Sequence, residues 1–251
     1  MSTPISTMSE FDGDDSGFTT DNPIYAIPDI TTGLLLDYNA DSLGSVGSSV
    51  TSWASSAGSL GAAANLTSGS SPRPTVVDGP NGHKAVRFVA SSSQYLMTAL
   101  FGTPLSLPMT QVVILRPAAT STASIVSGHY DTAANYIGIR RVSSGYDAGA
   151  GASSEIVNGS SSDTSAFHVV TARHGASGML RVDTVKSNGA TGQASASRAN
   201  LPRVTIGADA AHTASFLSGD VARVLMFSRA LTDADIASLH ATLGATYGIA
   251  A

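Results

Sequence analysis

The chain has no cysteine among its 251 residues. That excludes disulfide frameworks, thiolate zinc sites and cysteine nucleophiles together. Charge is also scarce. Asp, Glu, Lys and Arg make up 12% of the chain, against about 25% in an average soluble domain. The glutamates are only Glu10 and Glu155. A glycosidase needs two carboxylates roughly 5–9.5 Å apart across a cleft, whereas one of these lies in a polar leading stretch and the other in a Ser/Gly-rich one. No aspartate pair is spaced to replace them. A G-x-S-x-G nucleophile elbow is missing, and Ser127-Gly128-His129 is too little for a triad. The reading is therefore no enzyme.

Basic excess is absent too. A net charge of −5 and a pI near 5.5 argue against a phosphate-tracking surface, so nucleic acid is not an expected partner. No apolar run approaches the ~20 residues that span a bilayer, and no membrane role is expected. The first residues lack the basic and apolar segments of a signal peptide, so synthesis in a host cytoplasm without export is the expectation.

What fills the deficit is Ser, Thr, Ala and Gly, beside a 42% hydrophobic fraction. Such a composition suits β-rich surfaces that interact through hydroxyls and backbone. The length fits a single β-sandwich of roughly 200–250 residues. Residues 1–29 are polar and acidic, with Asp12, Asp14, Asp15 and Asp21 but few large apolar residues. They read as an amino-terminal arm that anchors. Residues 30–251 read as the domain.

Within it, Leu34–Tyr38, Val50–Trp53, Pro72–Val77, Ala85–Phe88 and Gln94–Met97 read as strands. Gly79-Pro80-Asn81-Gly82 marks a tight turn between two of them. Met109–Leu115 is continuously apolar, as in a strand covered on both faces. Ser124–Gly128 and Tyr136–Arg140 read as a pair, and Phe167–Ala172 faces Gly178–Asp183 as a hairpin. Phe216-Leu-Ser-Gly-Asp220 then runs into the apolar strand Val221–Phe227. Thr232 with Asp235 three residues on reads as a capping box. Ile236, Leu239 and Leu243 give the helix one apolar stripe, expected along the sandwich edge, and Gly248 reads as its stop.

This succession resembles the laminin-G-like, concanavalin-A-like jelly-roll superfamily. The resemblance rests on Leu34-Leu35-Leu36-Asp37, Val50-Thr51-Ser52-Trp53, Arg73-Pro74-Thr75, Ala85-Val86-Arg87-Phe88, Gln94-Tyr95-Leu96 and the closing order from Ile206-Gly207-Ala208 through Phe216…Gly219-Asp220 to Arg229-Ala230-Leu231-Thr232. It implies an all-β fold: two antiparallel sheets in a jelly-roll sandwich, with a carboxy-terminal α-helix and an extended amino-terminal arm. Two departures are Ala54, where an acidic residue is common, and Val89-Ala90 in place of Asp-Gly.

Among candidate sites, Asp37-Tyr-Asn39-Ala-Asp41 alternates oxygen ligands like a calcium loop. An EF-hand needs glycine sixth and glutamate twelfth, and Ser42 and Ser48 stand there. No cofactor is expected, with Ca2+ of the laminin-G kind at Asp37, Asp41, Asp209 and Asp220 left open. No histidine pair has the i, i+4 spacing of a zinc site. Tyr130, Asp131, Asn135, Tyr136 and Tyr146 cluster in the central loops and are the candidate glycan-binding residues, because aromatic faces stack on sugar rings.

Domains of the resembling kind recur on bacteriophage capsid-decoration, fibre and minor tail proteins. The expected function is thus a structural surface protein of a phage virion, capsid decoration first, anchored by the arm and touching host glycan weakly. The alternative is a tail or fibre adhesion protein or a bacterial carbohydrate-binding module. Expected partners are the major capsid protein or tail proteins of the same particle, a second copy of the chain, and host surface glycan.

Overall fold

The computed structural model describes residues 30–129, 136–143, 145–150, 155–158, 163–188, 200–209 and 211–251. The predicted arm, 1–29, lies outside them. In chain order the strands are β1 (Leu34–Asn39), β2 (Ser52–Trp53), β3 (Leu66–Ser68), β4 (Thr75–Asp78), β5 (Lys84–Phe88), β6 (Leu96–Met97), β7 (Leu105–Ser106), β8 (Met109–Pro117) and β9 (Ala123–His129). They continue with β10 (Tyr136–Val142), β11 (Gly145–Ala150), β12 (Glu155–Asn158), β13 (His168–His174), β14 (Met179–Val182), β15 (Val185–Asn188), β16 (Asn200–Leu201), β17 (Thr205–Ile206) and β18 (Gly219–Phe227). Helix α1 follows at Asp233–Tyr247.

Two eight-stranded antiparallel sheets result among the described residues. The first runs β15-β14-β13-β8-β18-β5-β4, with β1 also paired to β18; the second runs β12-β11-β10-β9-β17-β6-β3-β2. Period-two alternation decides which side chains meet between them. Val113, Leu115, Val224, Met226, Val86 and Phe88 of the first sheet join Ile137, Ile139, Tyr146 and Ala148 of the second in one buried cluster. Each large side chain so buried contributes about 1.5–3 kcal/mol. Trp53 sits in the same cluster, with its indole N–H donating to the Asn39 carbonyl at 3.0 Å. The expected two-sheet sandwich with one closing helix is what the chain forms.

The first sheet is apolar on its outer face as well. Val112, Ile114, Leu225 and Phe227 alternate with the inner set and form a second core with Ile236, Leu239, Leu243 and Tyr247 of α1. This corrects one expectation: the helix lies across the sheet face, not along the sandwich edge. The continuously apolar run in β8 needs a cover on each side, and the helix is the second cover. The predicted capping box is present. The Thr232 side chain accepts from the Asp235 N–H at 3.1 Å, and the Asp235 carboxylate accepts from the Thr232 N–H at 3.0 Å. Gly248 ends the helix in the left-handed conformation at φ 65°, where a side chain would be strained.

Candidate functional site

A bulge in β18 organises the outer face of the first sheet. Asp220 pairs with Arg116 and Arg223 with Ile114, two residues apart on β8, with the register shift between Val221 and Arg223. Strict alternation would send Asp220 and Arg223 to opposite faces; the extra residue puts both on the outer one. At the same point β18 changes its partner on the other edge, from β5 (through Val221) to β1 (from Arg223). Gly219 allows the close approach, since a Cβ there would lie 2.6 Å from the Arg116 carbonyl oxygen.

Two ion-pair groups follow. Asp37 accepts from Arg223 Nε at 3.0 Å and Nη2 at 2.9 Å, and from Ser56 Oγ at 2.8 Å. Asp220 accepts from two arginines. Arg87 donates through Nε at 2.8 Å and Nη2 at 3.1 Å, and Arg116 through Nε at 3.2 Å and Nη2 at 2.5 Å. The Asp220 side chain is 4% exposed, while Arg87 and Arg116 are 47% and 33% exposed. Hydrogen bonding to Asp220 raises the already high Arg87 pKa. The Arg116 guanidinium carbon lies 4.9 Å from the ring centre of Phe167, a cation–π contact.

Two grooves open here and share Ser165. One, of about 530 Å³, is lined by Arg87, Arg116, Asp220 and the hydroxyls of Thr164, Ser165 and Ser218. The other, of about 470 Å³, lies at the end of α1 between Asn81, Tyr247, His168 and Asp183. There Asp183 bonds the His168 ring at 2.7 Å and the Val169 N–H at 2.8 Å. Burial pushes the Tyr247 hydroxyl up to about 12, against the neighbouring Arg223 charge, which lowers it.

The four aspartates named as calcium ligands are not gathered. Asp37 and Asp220 hold the arginines above. Asp41 takes the Lys84 N–H at 2.8 Å and the His83 ring at 2.7 Å, tying the turn after β1 to the start of β5. Asp209 caps its own turn through the N–H groups of Thr213 and Ala214 at 3.0 and 3.2 Å. Among the described residues no three His, Asp or Glu side chains form a group that could hold a metal ion.

The glycan candidates fare differently from one another. Tyr146 is corrected from a loop platform to a core residue. It stands on β11 in register with Arg141, is 0% exposed, and stacks inside the sandwich 4.9 Å from the Arg141 guanidinium. Its alternation with Ala148 points it inward, and burial raises its pKa. Tyr136 is the first residue of β10. Tyr130, Asp131 and Asn135 lie outside the described residues. Sequence reading missed Arg87, Arg116 and Phe167; the available signal was an arginine interrupting each of two apolar strands.

Two antiparallel sheets packed face to face, with one outer face covered by a carboxy-terminal helix, define an all-β sandwich of the jelly-roll class. A family model described as the concanavalin A-like lectin/glucanases superfamily matches residues 99–237. The chain belongs to that superfamily. No curated protein matches the sequence. Among solved structures, domain 4 of an extracellular arabinanase from Geobacillus stearothermophilus, in complex with arabinotriose, is similar at TM-score 0.64 and 14% identity, over 82% of this chain and 98% of that domain. A GH54 α-L-arabinofuranosidase is similar at TM-score 0.59 and 14% identity, over 79% of this chain and 51% of its own. Trypanosoma rangeli sialidase in complex with sialic acid follows at TM-score 0.54 and 13% identity, over 83% of this chain. The chain spans about a third of that sialidase's length, 32%. At these identities the likeness is one of fold.

Proposed function

We propose that the chain is a non-catalytic surface domain of a bacteriophage virion, a capsid-decoration protein that contacts host glycan. The observation that carries the non-catalytic part is the carboxylate content of the grooves. Among its described lining residues each has one aspartate, Asp183 or Asp220, and each is already engaged by hydrogen-bonded partners. The acid and base of glycoside hydrolysis need two. Binding asks less: a partly apolar groove of this size with a few placed hydroxyls and fixed guanidiniums is enough.

The virion part draws on composition. A cysteine-free, hydroxyl-rich chain with 12% charge suits a repeated coat exposed to solvent. Residues 1–29 supply an acidic anchor, and the partners are the major capsid or tail proteins and further copies of the chain. A second reading, a carbohydrate-binding module acting as a monomer, is favoured by the arabinotriose-bound domain that this fold matches almost end to end. Cosedimentation separates the two. On the first reading the full chain sediments with purified phage heads or tails; sedimentation with neither, beside retention on a host polysaccharide column, replaces it with the second.

A further inference from the structure

We infer that the Arg87–Asp220–Arg116 groove is an anion-recognising saccharide site, which takes a sugar through a carboxylate or another oxyanion attached to it. The inference rests on the glycan-contact part of the proposed function and assigns it a place and a ligand class.

Charge counting comes first. Asp220 is almost fully buried and one guanidinium would neutralise it; two surround it. The group therefore keeps one positive charge, at the edge of a groove, in a chain whose net charge is −5. Geometry says where that charge can act. Both arginines give Asp220 the same edge, Nε with Nη2. Their Nη1 groups have no protein acceptor among the described residues, and both side chains line the opening. A guanidinium offers its donors in a fixed planar fork that matches carboxylate and phosphate oxygens.

The fork is also held still. Asp220 fixes both heads, and Phe167 lies under Arg116. Little side-chain freedom is left for a ligand to remove. Around the charge the lining is uncharged, with the hydroxyls of Thr164, Ser165 and Ser218 beside the apolar Phe88, Val89 and Ala118. Ser218 Oγ accepts from the Ala90 N–H at 3.3 Å, which leaves its own proton to donate. The nearest carboxylate in sequence to this rim, Asp163, is turned onto Ser165, accepting from its N–H and its Oγ, both at 2.7 Å. The volume of about 530 Å³ lies inside the roughly 300–1,000 Å³ range of small-ligand pockets. An anionic sugar would place its oxyanion on the arginines and its ring hydroxyls on Thr164, Ser165 and Ser218.

Calorimetric titration of the full chain with trigalacturonic acid, its methyl ester and glucose 1-phosphate tests this. The acid is expected to bind at least tenfold more tightly than the ester. R87Q, which leaves the Arg116–Asp220 pair intact, should lose that tenfold, and R87K should recover part of it. Glucose 1-phosphate binding more tightly than the acid would assign the oxyanion to phosphate at the same arginines. R116Q is a second variant should R87Q not fold. Equal binding of acid and ester, unchanged titration by both variants, or no binding of either anion overturns the site. Retention of wild type and R87Q on host envelope polysaccharide tells the two ideas apart. Equal retention discards this groove and keeps the glycan reading; no retention of either discards both.

Discussion

The outer face of the first sheet has two halves built on the same strands with opposite chemistry. Under α1 it presents Val112, Ile114, Leu225 and Phe227, all buried. Beyond the bulge in β18 it presents Arg87, Arg116 and Asp220, and among the described residues no helix covers them. The apolar part is sealed core and takes the Arg223–Asp37 pair in with it, whereas the Arg87–Asp220–Arg116 group lines an open groove. The switch occurs between Ile114 and Arg116 on one strand.

The comparison breaks most directly on its covered half. Leu239 is 0% exposed in the second core, so Leu239→Ala should destabilise by about 2–5 kcal/mol, read as a lower urea midpoint. Acid should loosen the fold next. Burial holds His240 down at about 4, with the Arg181 charge adding to it, and holds His174 down at about 3, against about 6.5 in an unfolded chain. Both folded values lie below the unfolded one. The stability they carry is therefore complete above about pH 6.5 and is lost as pH falls toward the folded values. The loss approaches about 1.4 kcal/mol per histidine for each pH unit. Urea midpoints at pH 7.5 and 5 should show it, and His240→Gln should flatten the slope.

A smaller effect is expected at the helix start. Thr232→Ala removes the capping box and should cost about 1 kcal/mol, seen as a melting point a few degrees lower. The open half should respond least: the exposed part of its ion pairing makes R87Q cost under about 1 kcal/mol. A larger loss by thermal melt would mean that the arginines belong to the fold as firmly as α1 does.

Much of the covered half is legible in the sequence. The Thr232/Asp235 cap, the Ile236-Leu239-Leu243 stripe and the apolar run of β8 each carry a local signal that matches what forms. The helix's position is not local, because it depends on which face of β8 lacks a partner sheet. Strands β11 and β12 are likewise hidden. Gly145–Ala150 reads GYDAGA, with little apolar alternation, and is a strand because β10 pairs with it. At the open half, Asp220 is visible as a carboxylate near a strand start. Its partners are 133 and 104 residues away, and the bulge that turns it outward shows only in the register. Tyr146 shows the same limit: an aromatic beside glycines reads as a loop until pairing with Arg141 sets its facing.

The placement of β18 bears on how the molecule comes to be. Residues 219–227 bond to β8 along one edge and to β5 and β1 along the other. The last strand made is therefore the middle plank of its sheet. While the ribosome is still upstream of it, β1, β4 and β5 have no neighbour joining them to β8, and Leu34 waits for Phe227. Assembly of this sheet is a late event that closes very long loops, which slows folding. Until it happens, β8 stands with an unpaired edge, a template for wrong partners.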